Sequence, residues 1–145
     1  SDIKLLSYFT YIRPKIEYSC VVWDPFTKSN IKKLEAVQRK AVRFVYSKFK
    51  ITDSPTELMT ANNIETLELR RKRNRLNLLY LLVNHKLALD PRAYVSPLST
   101  RHTRHHHTHS LTPYFAKTNA IRFSFFPRTV SEWNCLTDLS QFSVA

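Results

Sequence analysis

The chain has 145 residues, of which 43% are hydrophobic, so it can bury the core of one folded domain. Its 23 Lys and Arg against 11 Asp and Glu leave a net charge of +12, which favours a polyanionic partner: nucleic acid first, an anionic membrane second. Glycine is absent, which excludes Gly-rich phosphate loops and disfavours tight hairpins. We therefore predict a mainly α fold, a helical bundle of about five or six helices with a long basic irregular segment before a short C-terminal helix.

The sequence has no apolar run of transmembrane length and no secretory-type leader. Cys20 and Cys135 are too few for a disulfide framework and lack zinc-ligand spacing, which favours two reduced thiols. We predict an intracellular protein, nuclear, cytoplasmic or both, with no membrane contact and no small-molecule substrate. Since position 1 is not Met, we also expect the chain to be part of a longer protein.

The first predicted helix is apolar and runs from Ile3 to Ile12. Pro14 disfavours helical conformation in the residue before it, so we expect an interruption near Arg13 and a second helix that opens at Pro14. That helix carries Trp23, which we assign to the core, and it ends at Asp24-Pro25. Because glycine is absent, Asn63 and Asn84 are the expected substitutes at helix ends further along the chain.

The segment from Ile31 to Tyr46 predicts a helix with two different faces. At helical spacing its apolar residues share one side. They are Ile31, Leu34, Val37, Ala41, Phe44 and Val45. The basic residues lie on the opposite side or its flank: Lys28, Lys32, Lys33, Arg39, Lys40 and Arg43. The basic face is either a surface that follows a phosphate backbone or a solvated outer face.

Two strings in this part of the chain resemble a known family. IRPKIEYSCVVWDP at 12–25 and KKLEAVQRKAVRF at 32–44 resemble the segment downstream of the polymerase palm in reverse transcriptases of non-LTR, LINE-type, jockey-like retrotransposons. The resemblance implies a helical thumb followed by a C-terminal extension. It also implies that the basic face at 32–43 meets the template–primer duplex, an RNA or RNA–DNA hybrid.

Two more helices are expected after the central one. Ser54, Pro55 and Glu57 form a helix-start signal, so a short helix should run to about Asn62. A longer helix from Thr66 to Leu87 carries the core positions Leu76 and Tyr80. Basic residues crowd its first turns, and they are interpreted as a second phosphate-contacting patch, a solvated patch or a nuclear-import signal. They are Arg70, Arg71, Lys72, Arg73 and Arg75.

From Pro91 to Ser131 the sequence contains no Asp or Glu, and it includes the string RHTRHHHTH. We predict a polar, basic loop here, in which Arg104 binds nucleic acid. Closely spaced His residues can chelate a divalent metal, but no carboxylate or Cys stands nearby to complete and orient a site. We therefore predict no metal site.

The tail from Phe123 to Leu136 resembles the same family, in which such a stretch follows the thumb. It predicts an aromatic plug that leads into a short helix, with Phe126 and Trp133 in the core and Arg128 at the nucleic acid. Aromatic rings of the plug are interpreted as core residues, with base stacking as the alternative. The expected segments are 1–90, a thumb-like bundle; 91–122, the basic His-rich loop; and 123–145, which packs on the bundle as one structural unit.

Catalysis is not expected of this chain. Two-metal polymerisation needs closely set carboxylates, and the chain has neither an Asp-Asp pair nor the Tyr-x-Asp-Asp string of the family's palm. We predict a non-catalytic fragment without a cofactor that binds nucleic acid for a polymerase whose remaining part lies on the N-terminal side. By the resemblance, that parent would be an RNA-directed DNA polymerase that uses Mg²⁺. The alternative is a degenerate or domesticated helical protein-interaction module, whose apolar helix Leu76 to Leu87 docks a protein.

Overall fold

The structure is a computed structural model that describes residues 2–98 and 109–136. It is mainly helical, as predicted. These residues contain no strand, and a single antiparallel bridge joins Pro97 to Leu111. The absence of glycine and the helical spacing of apolar residues thus identified the fold class correctly.

The described residues form eight α-helical segments. Their bounds are α1 Asp2–Ser7, α2 Arg13–Glu17, α3 Cys20–Trp23, α4 Lys28–Tyr46, α5 Pro55–Ala61, α6 Leu67–Val83, α7 Asn119–Arg122 and α8 Phe125–Asn134. A π-helical turn, Tyr8–Ile12, joins α1 to α2, and a 3₁₀ turn spans Pro91–Ala93. The number of helical segments exceeds the expected five or six for two reasons. The π-helical turn divides the first expected helix, and the short segments α3 and α7 are each counted as a helix.

The first helix does not break at Pro14, contrary to the prediction. Arg13 is helical, with φ −56° and ψ −49°, and its N–H donates to the carbonyl of Tyr8, five residues back. A proline ring in a regular helix clashes with the carbonyl four residues earlier and lacks the N–H that this carbonyl needs. The wider π-helical turn ahead of Pro14 relaxes both constraints, so the chain stays helical to Glu17.

Non-glycine residues take the positive φ angles at the helix ends. Asn63 has φ 52°, which confirms its predicted role after α5. The expectation for Asn84 is wrong, because His85 has the positive angle, φ 55°, after α6. Ser19 and Ser47 take the same conformation after α2 and α4. Because the chain has no glycine, these four residues adopt the left-handed conformation although it is sterically unfavourable for a residue with a Cβ atom.

The chain divides into two compact units, Ser1–Lys72 and Arg73–Ala145. The boundary falls within α6 and does not coincide with the expected segment limits at 90 and 122. Leu76, Leu79 and Leu82 in the second half of α6 belong to the core of the second unit, which explains this placement.

The core of the first unit lies around Tyr8, Ala41 and Val45. Leu5, Ile12 and Tyr46 are partly buried and pack against it. α4 is therefore held by its contacts with the N-terminal helical segments.

The core of the second unit combines α6, α8 and the segments between them. Its buried members are Leu76, Leu79, Leu82, Val95, Leu111, Val130 and Trp133. Tyr80 and Phe126 are partly buried and pack against it. The Trp133 indole N–H donates to the carbonyl of His109 at 2.9 Å. The prediction that Leu76 and Trp133 lie in the core is confirmed. Tyr80 and Phe126 lie at the edge of the core, where they are partly buried.

Two predicted core residues are exposed. Phe44 is 48% exposed and Trp23 is 41% exposed, so their assignment to the core is wrong. Leu34 is half-buried. Val37 is also 47% exposed, which shows that the buried side of α4 is rotated away from Val37 and Phe44 relative to the predicted side. The buried side includes the predicted Ala41 and Val45, and it also includes Glu35, Gln38 and Val42.

Candidate nucleic-acid interface

Two buried polar side chains of α4 hold the start of α6. The Gln38 amide oxygen accepts from the N–H of Leu67 at 3.1 Å, and its amide nitrogen donates to the carbonyl of Glu65 at 2.9 Å. The Glu35 carboxylate accepts from the N–H of Glu68 at 2.8 Å. The first N–H groups of a helix have no partner within it, and a carboxylate there also complements the helix dipole. These bonds turn Glu35 and Gln38 inward and so fix the rotation of α4.

This rotation leaves the basic side of α4 at the surface. Lys32, Lys33, Arg39 and Lys40 are exposed, as is Lys28 at the first position of the helix. No carboxylate of residues 2–98 or 109–136 pairs with any of the five. At 1.5 Å per residue, the helix places these charges along roughly 18 Å of its axis.

Arg43, which was predicted to share this surface, has a structural contact instead. It is half-buried, and its guanidinium donates to the carbonyl of Asp53 at 3.1 Å. The Asp53 carboxylate in turn accepts from the N–H of Lys50 at 3.1 Å. Arg43 therefore stabilises the turn that follows α4, and its charge lies at the edge of the basic side.

Two arginines of the predicted second basic patch are buried in the first unit. Arg70 is 6% exposed and Arg71 is 0% exposed. Arg70 pairs with Glu17, and the Arg71 Nε donates to the Asp24 carboxylate at 2.7 Å. The assignment of Arg70 and Arg71 to nucleic-acid binding is therefore wrong, because each guanidinium lies inside the unit against a carboxylate.

Arg75 and Arg128 share one acid in the second unit. Arg75 is 2% exposed and donates to both oxygens of Glu132, at 3.0 and 2.8 Å. The Arg128 Nε lies 3.5 Å from the same carboxylate, and the Arg128 side chain is 16% exposed. Arg128 therefore has a structural ion pair within its own unit, and its assignment to nucleic-acid binding stays a prediction.

The remaining predicted residues differ in what the structure shows of them. Arg73 is exposed. Arg104 and most of the His-rich string lie outside the described residues. His109 is the described member of that string, and its carbonyl accepts a hydrogen bond from the Trp133 indole N–H.

The described residues place cations in two kinds of environment. The buried ones, Arg70, Arg71 and Arg75, each have a carboxylate within their own unit. The exposed ones on α4 have none, so their charge is directed at solvent. Sequence reasoning missed the buried group because its partners stand far away in the chain, Asp24 being 47 residues before Arg71 and Glu132 57 residues after Arg75.

Other kinds of site find no support in the part of the chain that the structure describes. It holds no cluster of three His, Cys, Asp or Glu side chains that would bind a metal ion. Cys20 is buried and Cys135 is exposed, and the two form no disulfide bond. Among the described helices, none combines the length and the apolar character needed to cross a membrane.

No protein-family model, curated protein sequence or solved structure matches the chain.

Proposed function

We propose that this chain binds nucleic acid through the exposed basic side of α4. The observation that carries the proposal is the contrast between Lys32, Lys33, Arg39 and Lys40, which are exposed without a described carboxylate, and the buried arginines, each of which has one. A fold that neutralises the cations it buries and leaves a row of cations at the surface is suited to a polyanion.

The contacts would be made to phosphates. From Lys28 to Lys40 the charges extend over roughly 18 Å, which corresponds to about five phosphates of one strand at 3.4 Å of duplex axis per nucleotide. Lys and Arg contacts to phosphate position a protein on a duplex without reading its sequence. We therefore expect tight binding at low salt, little sequence preference and a steep loss of affinity as salt rises.

The resemblance to non-LTR reverse transcriptases supplies the proposed context. In that context the chain holds the template–primer, an RNA or RNA–DNA hybrid, for a polymerase whose catalytic part stands on its N-terminal side. The paired aspartates and the Mg²⁺ of polymerisation would belong to that part. This chain would contribute binding without catalysis.

The test is a titration of the purified chain with a fluorescent RNA–DNA hybrid at several salt concentrations. The variant carries Arg39→Gln and Lys40→Gln, which remove two exposed charges and leave Arg43 in place. If both residues contact phosphates, the slope of log K against log salt should fall by about 1.8. The control carries Lys15→Gln and Lys50→Gln, which remove two exposed charges elsewhere in the first unit.

An equal loss in both variants would show that only the net charge matters. Unchanged binding of the Arg39 and Lys40 variant would refute the assignment of this surface. Circular dichroism of both variants establishes that the helices remain intact.

A second candidate function is a protein-interaction module. The helix Leu76 to Leu87 no longer favours it, because Leu76, Leu79 and Leu82 are buried in the core of their own unit. The observation that does favour it is the exposure of apolar residues near the N-terminus: Ile3 is 81%, Tyr18 78% and Val22 83% exposed. Apolar docking is far less sensitive to salt than phosphate binding, so the same titration separates the two functions.

A further inference from the structure

The second unit contains an open cavity of about 360 Å³. Two chain segments form its walls, Arg92–Ser96 on one side and Thr112–Phe115 on the other. The N–H of Thr112 donates to the carbonyl of Ser96 at 2.8 Å, and the N–H of Leu98 donates to that of Ser110 at 3.0 Å. These bonds hold the two walls together, so the cavity is part of the fold.

Asn134 of α8 fixes the second wall. Its side-chain oxygen accepts from the N–H of Leu111 at 2.9 Å, and its amide nitrogen donates to the carbonyl of the same residue at 2.8 Å. Asn134 and Leu111 are both buried. The wall that leads to Tyr114 and Phe115 is therefore anchored directly beside the core.

Three partly or largely exposed aromatic rings line this cavity. Tyr94 stacks on Phe126, with ring centroids 5.3 Å apart and planes 12° apart, and Tyr114 packs on the same ring at 6.1 Å. Tyr94 and Tyr114 remain 40% and 41% exposed. Phe115 is 85% exposed, so a ligand that covers its ring removes apolar surface from water. Three rings at one cavity thus offer apolar faces to a ligand.

The charged residue among those that line the cavity is a cation, which can bind a phosphate. Arg92 lines the cavity and is exposed. None of the nine lining residues is an Asp or Glu. The carboxylate of the neighbouring Asp90 accepts from the backbone N–H of Arg92 at 3.0 Å. Partial burial raises the pKa of the Tyr114 phenol above its ordinary value of 10.0, so this hydroxyl is a neutral hydrogen-bond donor at neutral pH.

We propose that this cavity binds an unpaired nucleotide of a single-stranded nucleic acid, with the base against Phe115 and the two tyrosines and a phosphate at Arg92. Every base can stack on an aromatic ring, and the cation binds a phosphate of the backbone. The size lies within the range of small-molecule pockets. In a duplex, the faces of the bases are stacked on each other, so this site selects single strands.

This site is distinct in chemistry from the basic side of α4. Phosphate contacts along a helix bind single and double strands alike, whereas base stacking requires unpaired bases. The inference therefore does not depend on the proposed function, and an experiment can refute either one without refuting the other. Loss of hybrid binding in the Arg39 and Lys40 variant tests the first, and single-strand preference tests the second.

The experiment measures binding of the full chain to a short labelled oligothymidylate, to its duplex with oligoadenylate and to an abasic strand of equal length. We expect Phe115→Ala to weaken single-strand binding roughly 5- to 100-fold and to leave duplex binding nearly unchanged. Phe115→Tyr keeps a ring and should restore binding, whereas Phe115→Leu, which keeps only apolar bulk, should not. Because Phe115 is 85% exposed, these variants should fold.

The control is Tyr18→Ala, which removes a 78% exposed aromatic side chain from the first unit. It should bind the single strand like the unmodified chain. Equal affinity for the abasic and the thymidylate strands would overturn the proposal, as would unchanged single-strand binding by Phe115→Ala. Binding of a proline-rich peptide that is lost in Phe115→Ala, without any effect of oligonucleotide, would also overturn it and assign the cavity to a peptide.

Discussion

Replacement of Arg71 by Met tests whether the basic string at the start of α6 is structural. The Arg71 side chain is 1% exposed and the Asp24 side chain 6% exposed, with Nε and Oδ1 2.7 Å apart. Arg71→Met retains much of the side chain's apolar length but leaves the Asp24 carboxylate buried without this guanidinium. The buried carboxylate then lacks the opposite charge that this guanidinium provides, and this loss is the main expected cost.

The expected loss of unfolding free energy is about 3–5 kcal/mol, the range for removing one partner of a buried ion pair. Small proteins have about 5–15 kcal/mol in total, so the loss is a large fraction. With a urea dependence of roughly 2 kcal/mol per M, the midpoint of unfolding should fall by about 1.5–2.5 M. Urea denaturation followed by circular dichroism measures this shift.

The double variant Asp24→Leu with Arg71→Met separates the charge effect from packing. It removes both charges, and its stability should return toward that of the unmodified chain, because apolar replacement of a buried ion pair is often neutral. The single variant, where it is folded, should keep the salt dependence of nucleic-acid binding. An unchanged urea midpoint together with a weaker salt dependence would refute the reasoning and return Arg71 to the nucleic-acid surface.

Two further predictions concern the packing of α4 and α6. Gln38→Leu should lower the unfolding free energy by about 2–4 kcal/mol in urea denaturation. The reason is that the N–H of Leu67 and the carbonyl of Glu65 lose the partner that Gln38 provides. A loss below about 0.5 kcal/mol would contradict the role given to this amide. Phe44→Ala should cost less than about 1 kcal/mol because the ring is 48% exposed, whereas Leu79→Ala, at a position 0% exposed, should cost about 2–5 kcal/mol. The reverse order in thermal unfolding would mean that the apolar residues of α4 do face the core.

Local signals in the sequence were sufficient for the start of α5. Ser54, Pro55 and Glu57 predicted a helix start, and the Ser54 hydroxyl accepts from the N–H of Glu57 at 3.4 Å, with α5 beginning at Pro55. The partners in such a cap stand within one helical turn of each other. Residue type and spacing therefore contain all the information that the structure uses.

The rotation of α4 could not be predicted in the same way. Its apolar spacing placed Phe44 on the core side, yet Glu35 and Gln38 are buried because they bind N–H groups that open α6, 33 and 29 residues away respectively. A Glu or Gln on a helix usually faces solvent. Only the approach of a second helix end makes its burial favourable, and no local pattern reports that approach.

The sequence by itself determined the helical class, the position of most helices, the excess of positive charge and the absence of the paired aspartates of a polymerase. These properties depend on composition and on spacing within a few residues. The tertiary structure decided which cations remain at the surface. Arg70, Arg71 and Arg75 resembled the basic residues of α4 in sequence, but each lies against a carboxylate from another element. The physical reason is that a buried charge requires a partner, and the partner is brought to it by the fold rather than by the neighbouring sequence.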